Sequence, residues 1–130
     1  MKKLITFLLN GQTMAMDSQY IKKIIKLEPL TKIPSSEKFL EGVINYQQTI
    51  MPVINIKAIL GIQDTSIYDS SSIIAICKDG ETTGILVDYV DDIVDVNEEE
   101  ICKDISNCFI QGVVKIDNKI VMILNPVIRR

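Results

Sequence analysis

The chain has no histidine and no tryptophan among its 130 residues. Without histidine the usual general base near neutral pH is missing, and a cysteine has no imidazole to activate it. A zinc site loses one of its main ligands as well. Three cysteines, an odd number, argue against a complete disulfide framework. Cys77 alternates with Ile74 and Ile76 and reads as an apolar filler of a strand, while Cys102 and Cys108 lack zinc-type spacing, so free thiols are expected. No Gly-rich loop ends in Lys-Ser/Thr, so the phosphate-cradling motif is absent. The acidic stretch DDIVDVNEEE lacks the alternating ligands and central glycine of a calcium loop and reads as a solvated face. No apolar run reaches the roughly 18 residues of a membrane span. The opening MKKLITFLLNG has a short apolar core, no small-residue cleavage site and a terminal hairpin turn, so it reads as a strand of a cytoplasmic protein and not as a signal peptide. No catalytic residue, cofactor or metal is expected, and no membrane insertion. What remains is a binding module.

Aromatics make up 5% of the chain, so the core must be built from Ile, Val, Leu and Met, a β-branched mixture that favours strands. Charge is nearly balanced, 14 basic against 17 acidic residues, and the net of −3 disfavours a nucleic-acid surface. Its distribution is uneven. Lys22, Lys23, Lys26 and Lys32 cluster early; Asp91, Asp92, Asp95, Glu98, Glu99, Glu100 and Asp104 cluster late.

The chain repeats itself. GVINYQQTIMPVIN from Gly42 is matched 70 positions later by GVVKIDNKIVMILN from Gly112, with Gly42/Gly112, Val43/Val113, Ile50/Ile120 and Asn55/Asn125 identical. YIKKIIKL from Tyr20 and YVDDIVDV from Tyr89 match apolar for apolar at an offset of 69, and so do the turn pairs Asn10-Gly11 and Asp79-Gly80. Agreement of turn, cap and pattern indicates a duplicated unit of about 70 residues. At Lys22/Asp91, Lys23/Asp92 and Lys26/Asp95 the copies carry opposite charges.

Along the chain, Leu4–Leu9 is apolar on both faces, which places it between two layers. Asp17 or Ser18 caps a helical turn through Tyr20, Ile21 and Ile24, followed by strand at Ile25 and Leu27. Ser35 or Ser36 caps a short helix through Phe39 and Leu40. Gln47-Gln48 turns one hairpin and Asp117-Asn118 the last. Pro52 places its strand at an edge or on a bulge. Asn55 caps a helix through Ile56, Ile59 and Leu60 that stops at Gly61, and Asn125-Pro126 repeats the helix start. The Ser-rich stretch after Gly61 is the natural linker and the place for mobility. Asp88, inside GILVDYV, must be hydrogen-bonded if buried and is read as stabilising a turn. Many short, evenly spaced strands read as small barrels. The expected architecture is all-β with short helices, in two β-barrel subdomains at about 12–62 and 72–130. The strand 4–9 either stays with its own barrel or crosses to the second.

The stretch Gly42, Asn45-Tyr46-Gln47-Gln48, Pro52-Val53, Asn55-Ile56, Leu60-Gly61 resembles the signature of the chemotaxis coupling family, the CheW-like domain. Ile21-Lys22-Lys23-Ile24, Val87 to Ile93, and Gly112 to Leu124 follow the family's remaining motifs in order. The resemblance covers nearly the whole chain and lies in the ordered set rather than in any one motif. It implies two SH3-like β-barrels packed together. It also implies a non-enzymatic adaptor that couples the regulatory domain of a CheA-type histidine kinase to the cytoplasmic tips of methyl-accepting chemoreceptors, at membrane-associated arrays. The partner-binding residues it implies are Lys22, Lys23, Ile24, Ile25, Asn45, Tyr46, Gln47, Gln48, Asp91, Asp92 and Asp95. The inverted charges suit a head-to-tail barrel contact, including self-association. The sequence departs from the family where Arg-Gly is Gln47-Gln48, where Glu is Lys23, and where the last helix is cut to 126–130. These departures leave open a divergent scaffold on the same fold, serving another motility or signalling assembly. A small-molecule-binding or enzymatic barrel is a third reading, and it would need a convergent polar pocket.

Overall fold

The strands assemble by reciprocal exchange between the two halves of the chain. The computed structural model describes residues 1–34 and 37–126. The first half supplies β1 (Lys2–Leu9), β2 (Gln12–Asp17), β3 (Ile21–Lys26), β4 (Leu40–Tyr46), β5 (Thr49–Asn55) and the one-turn helix α1 (Ile56–Ile59). The second supplies β6 (Ser72–Lys78), β7 (Glu81–Val87), β8 (Tyr89–Val96), β9 (Ile110–Ile116) and β10 (Lys119–Leu124). One five-stranded sheet runs β8-β1-β2-β10-β9 and the other β3-β6-β7-β5-β4. Each half therefore gives its first hairpin to the sheet that holds the other half's last three strands. β1 pairs antiparallel with β8, β3 with β6, and the parallel contacts β2–β10 and β5–β7 close the exchange.

This topology corrects the expected subdomain limits. The sheets do not divide the chain at 12–62 and 72–130. The strand at 4–9 crosses to the sheet of β8–β10 and takes β2 with it, while β6 and β7 cross the other way.

Each sheet wraps a core fed by all five of its strands. Leu4, Ala15, Val96, Val114, Val121 and Ile123 fill one; Ile44, Met51, Val53, Ile73, Ala75 and Leu86, with Ile25 packed on, fill the other. A third cluster lies between them and is built largely from the exchanged hairpins: Phe7, Leu9, Met14 and Met16 against Ile74, Ile76, Ile85 and Val87. Those hairpins are buried on both faces, which is why Leu4–Leu9 has no polar alternation.

The repeat is exact in its turns. Asn10-Gly11 and Asp79-Gly80 have positive φ at both residues, and so do Gln47-Gln48 (51°, 65°) and Asp117-Asn118 (50°, 64°). Gly42 and Gly112 are needed for a reason of their own, the close approach of another segment. A Cβ on Gly42 would stand 2.7 Å from the Thr31 carbonyl oxygen, and one on Gly112 3.0 Å from that of Cys102, where a preceding segment bridges onto the strand. The likeness extends further back: Asn55 N–H donates to the Phe39 carbonyl and Asn125 N–H to that of Phe109.

Several local expectations are corrected. Asp17 caps a 3-10 turn at Ser18–Tyr20, and Ile21 to Lys26 is strand, because the β6 ladder holds it extended. No helix passes through Phe39 and Leu40; Phe39 lies in a turn and Leu40 opens β4, while Ser35 and Ser36 fall outside the described residues. Pro52 does not mark an edge strand. β5 lies between β4 and β7, but its parallel pairing to β7 starts at Val53, so the proline sits where the second side is unpaired. Asn55 does cap α1, accepting from Lys57 N–H at 3.2 Å, and Gly61 follows at φ 80°. The helix expected after Asn125 lies outside the described residues beyond Pro126.

Candidate functional site

The two charge-inverted segments occupy equivalent places on opposite sheets. β3 ends one sheet order and β8 ends the other. Each carries an irregularity at the matched position: pairing skips from Ile21 to Lys23 on β3, and from Asp92 to Val90 on β8. Lys22 and Asp91 are thus the bulged residues, and a bulge re-aims side chains out of strict alternation. Lys22, Lys23 and Ile24 are consequently exposed in a row, as are Asp91, Asp92 and Ile93. Ile24 is 40% exposed and Ile93 60%, so each surface combines an apolar spot with one sign of charge.

The acidic surface is partly committed within the molecule. Asp95 pairs with Lys3 at 3.0 Å, and Asp92 Oδ1 accepts from Ile93 N–H at 2.7 Å. Thr6 Oγ1 accepts from Asp92 N–H at 3.1 Å and anchors the bulge to β1. Among the described residues no ion pair engages Lys22, Lys23, Lys26 or Asp91. The basic and acidic segments, being on different sheets, do not neutralise each other.

The β4–β5 hairpin lies on the same sheet as the basic segment, and β3 and β4 are its two end strands. Ile25 and Tyr46 are half-buried and pack on the same core cluster, so they anchor the surface more than they present it. Asn45, Gln47 and Gln48 are exposed, and the Thr49 hydroxyl donates to the Tyr46 carbonyl at 2.8 Å to brace the turn. Ile50 beside the turn is 76% exposed and its counterpart Ile120 70%. These two apolar tips were not singled out from the sequence, although their identity in both repeats was the available signal.

A second site missed by sequence reasoning lies at the junction of the halves. Lys57, on α1, is 1% exposed. Its Nζ stands 2.7 Å from Asp88 Oδ1, donates to the Ser66 carbonyl at 2.9 Å and to Asn10 Oδ1 at 3.3 Å, and lies 5.1 Å from the centre of the Tyr68 ring. Asp88 Oδ2 accepts from Asn10 N–H at 2.8 Å, so Asp88 does stabilise a turn, that of β1–β2, and also holds a buried cation. Nothing in the spacing of a lone lysine announces this. The Ser-rich stretch is tied down by the same cluster, with Asn55 Nδ2 donating to the Thr65 carbonyl and Ser70 to that of Asp88.

Besides a small groove of about 80 Å³ at Asp91 and Asp92, two larger ones are present among the described residues. One, of about 390 Å³, is lined by Leu27, Pro29, Leu30 and Ile67, with Glu28, Lys32 and Glu41 beside them. It is large enough for a small ligand. Glu28 and Lys32 are exposed, however, and do not converge as buried polar groups. The other, of about 220 Å³, is apolar and lined by Met14, Leu60, Ile62, Ile110, Met122 and Leu124. Among the described residues no cluster of His, Cys, Asp or Glu could hold a metal ion, and no helix is long and apolar enough to cross a membrane.

Comparison with known proteins gives one answer. The family model described as CheW-like domain matches residues 3–127. The chain is 33% identical over 127 residues to the chemotaxis protein CheW of Thermotoga maritima, covering 95% of this chain and 83% of that protein. It is 30% identical over 131 residues to the chemotaxis protein CheW of Bacillus subtilis, with the same coverage. Among solved structures, the scaffolding protein TtCheW from Thermoanaerobacter tengcongensis superposes with a TM-score of 0.89 at 29% identity, covering 95% of this chain and 88% of that one.

Proposed function

The chain belongs to the CheW-like domain family, and we propose that it couples the regulatory domain of a CheA-type histidine kinase to the tips of methyl-accepting chemoreceptors by barrel-to-barrel contacts. Membership makes it a chemotaxis adaptor and scaffold, and not a catalyst. The observation that carries the finer reading is the pair of matched bulges. β3 and β8 offer the same backbone shape with opposite charge, each beside an exposed isoleucine. A partner with the same two-barrel design meets the basic surface with its acidic one, and the head-to-tail contact closes into a ring where the rotation allows. Lys22, Lys23 and Ile24 form the centre of the basic surface, Asn45, Gln47 and Gln48 its hairpin margin, with Ile25 and Tyr46 beneath. Asp91, Asp92 and Asp95 form the acidic surface. The site of action is the cytoplasm, at receptor arrays reached through these partners.

Calorimetric titration against the cognate kinase regulatory domain, at low and high salt, tests this. Micromolar or tighter binding that weakens with salt is expected. Reversing Lys22/Lys23 to Asp, or the partner's matching acidic residues to Lys, should each weaken it, and the combination should restore it. Lys23 and Gln47-Gln48 favour one alternative, since each replaces a family residue of different charge or flexibility. No binding by a well-folded sample would move the assignment to a scaffold of another motility or signalling assembly.

A further inference from the structure

The two matched bulges are not held alike. On β8 the ladder to β1 skips from Asp92, opposite Thr6, to Val90, opposite Phe7. Three backbone groups at this slip bond side chains. Asp92 N–H donates to Thr6 Oγ1 at 3.1 Å, the Thr6 hydroxyl donates to the Asp92 carbonyl at 3.3 Å, and Ile93 N–H donates to Asp92 Oδ1 at 2.7 Å. On β3 the residue opposite Lys23 is Ala75, which stands 69 positions after Thr6 and has no hydroxyl. Among the described residues no side-chain hydrogen bond reaches the backbone of Lys22, Lys23 or Ile24. We propose that Thr6 is the positioning residue of the acidic surface: its hydroxyl fixes the β8 bulge, and with it the arrangement of Asp91, Asp92 and Ile93 that a partner meets. This rests on the adaptor reading, in which Asp91 and Asp92 face that partner.

Thr6 is 3% exposed, so it acts through Asp92 and not by touching a partner. A bulge leaves its extra residue outside the ladder, and the backbone there lacks the bonds that fix a regular strand. A hydroxyl donates and accepts at once. Here it does both to one residue and ties the strand down where Asp91 leaves the ladder. The register on either side does not depend on it. Ile93 lies opposite Ile5, and Val96 is buried in the barrel core. A regular ladder through this point would shift the strand by one residue and turn Val96 out of that core. The bulge is therefore kept by the core, and its exact shape by Thr6. Valine in this place keeps the side-chain shape and the strand preference. It meets neither backbone group of Asp92, and both must turn to water or go unmet. A surface already held in its bound arrangement loses less freedom on docking. The acidic surface is thus the preset half of the head-to-tail contact. The basic surface, held by its ladder alone, is the half that adapts.

The variants T6V and T6S are compared with the native chain in two ways. Amide hydrogen exchange is followed residue by residue by NMR, and binding to the kinase regulatory domain by calorimetric titration. D91K/D92K is the control for the surface itself. Expected for T6V is a folded protein whose Asp92 amide exchanges about tenfold faster, while the amides of the core residues Ile74 and Ile123 keep their rates. Its binding is expected to weaken severalfold, and T6S, which keeps the hydroxyl, to restore both. Unchanged exchange at Asp92 in T6V overturns the proposal. So does T6V binding like the native chain while D91K/D92K binds weakly. A T6V protein that does not fold overturns it too, since Thr6 would then hold the barrel and not its surface. If D91K/D92K binds like the native chain, or the native chain does not bind, the adaptor contact fails at this surface. The exchange rates of T6V and T6S then decide by themselves whether Thr6 fixes the bulge.

Discussion

Lys57 has almost no contact with water, and its charge is met by one carboxylate, one carbonyl, one amide oxygen and one ring face. Removing one member of such a pair strands the other. Lys57→Met is therefore expected to destabilise the fold by about 3–5 kcal/mol, and K57M/D88L to recover most of that loss; urea unfolding of the three proteins measures it. Asp17 makes a different contribution. Burial alone would raise its pKa, but hydrogen bonds from the Gln19 backbone and side chain and from Lys2 outweigh burial and hold the carboxyl below its ordinary value. A depressed folded pKa gives stability that is present above the unfolded value, about 3.9, and is lost as pH falls through the folded one. The melting temperature should accordingly fall on acidification below about pH 4, and D17N should start lower and lose less over that window. Asp88 was recognisable in the sequence as a residue needing partners, because a carboxylate interrupts an apolar strand. Its partner was not, because a lysine beside a helix cap looks the same whether it reaches solvent or turns inward.

At the level of elements, the hairpins were the most legible part of the fold, since Asn-Gly and Asp-Gly specify left-handed turn residues directly. Gln47-Gln48 takes the same conformation as Asp117-Asn118 without the residues that adopt it easily. A β-carbon in the left-handed region is strained by roughly 1–2 kcal/mol. Gln48→Gly should therefore raise stability by about 1 kcal/mol, seen as a higher urea midpoint with an unchanged slope. The 3-10 turn before β3 was misjudged as part of a longer helical turn because Tyr20, Ile21 and Ile24 fit helical spacing locally. The ladder to β6, some fifty residues away in sequence, decides otherwise. The bulges at Lys22 and Asp91 were equally out of reach. They arise from pairing register, and register is set by the neighbouring strand and not by the strand's own residues. The sequence did show the charge they carry, inverted at each matched position.

For the whole molecule, the repeat was readable but its assembly was not. Apolar runs with little polar alternation in β1, β2, β6 and β7 declare burial on two faces; they do not say which sheet receives which hairpin. Compact halves folding separately and interlocked halves exchanging hairpins have the same sequence signature. Their energetics differ. Two self-contained barrels of about 60 residues would each be marginal and could melt apart. The interlocked halves are joined by four ladders, two in each barrel, and the barrels by a central cluster, so loss of either half removes strands from both barrels. Val53 and Ile123 are fully buried in opposite barrel cores. Val53→Ala and Ile123→Ala should each lower a single cooperative transition, by roughly 2–4 kcal/mol, with fluorescence-free probes such as far-ultraviolet dichroism and calorimetry agreeing on one midpoint. Two transitions, with each substitution moving its own, would instead mean that the barrels hold together separately. With the basic surface on one barrel and the acidic surface on the other, force or binding energy at β3 reaches β8 through the cluster packed between the exchanged hairpins, without passing through the linker at 62–71.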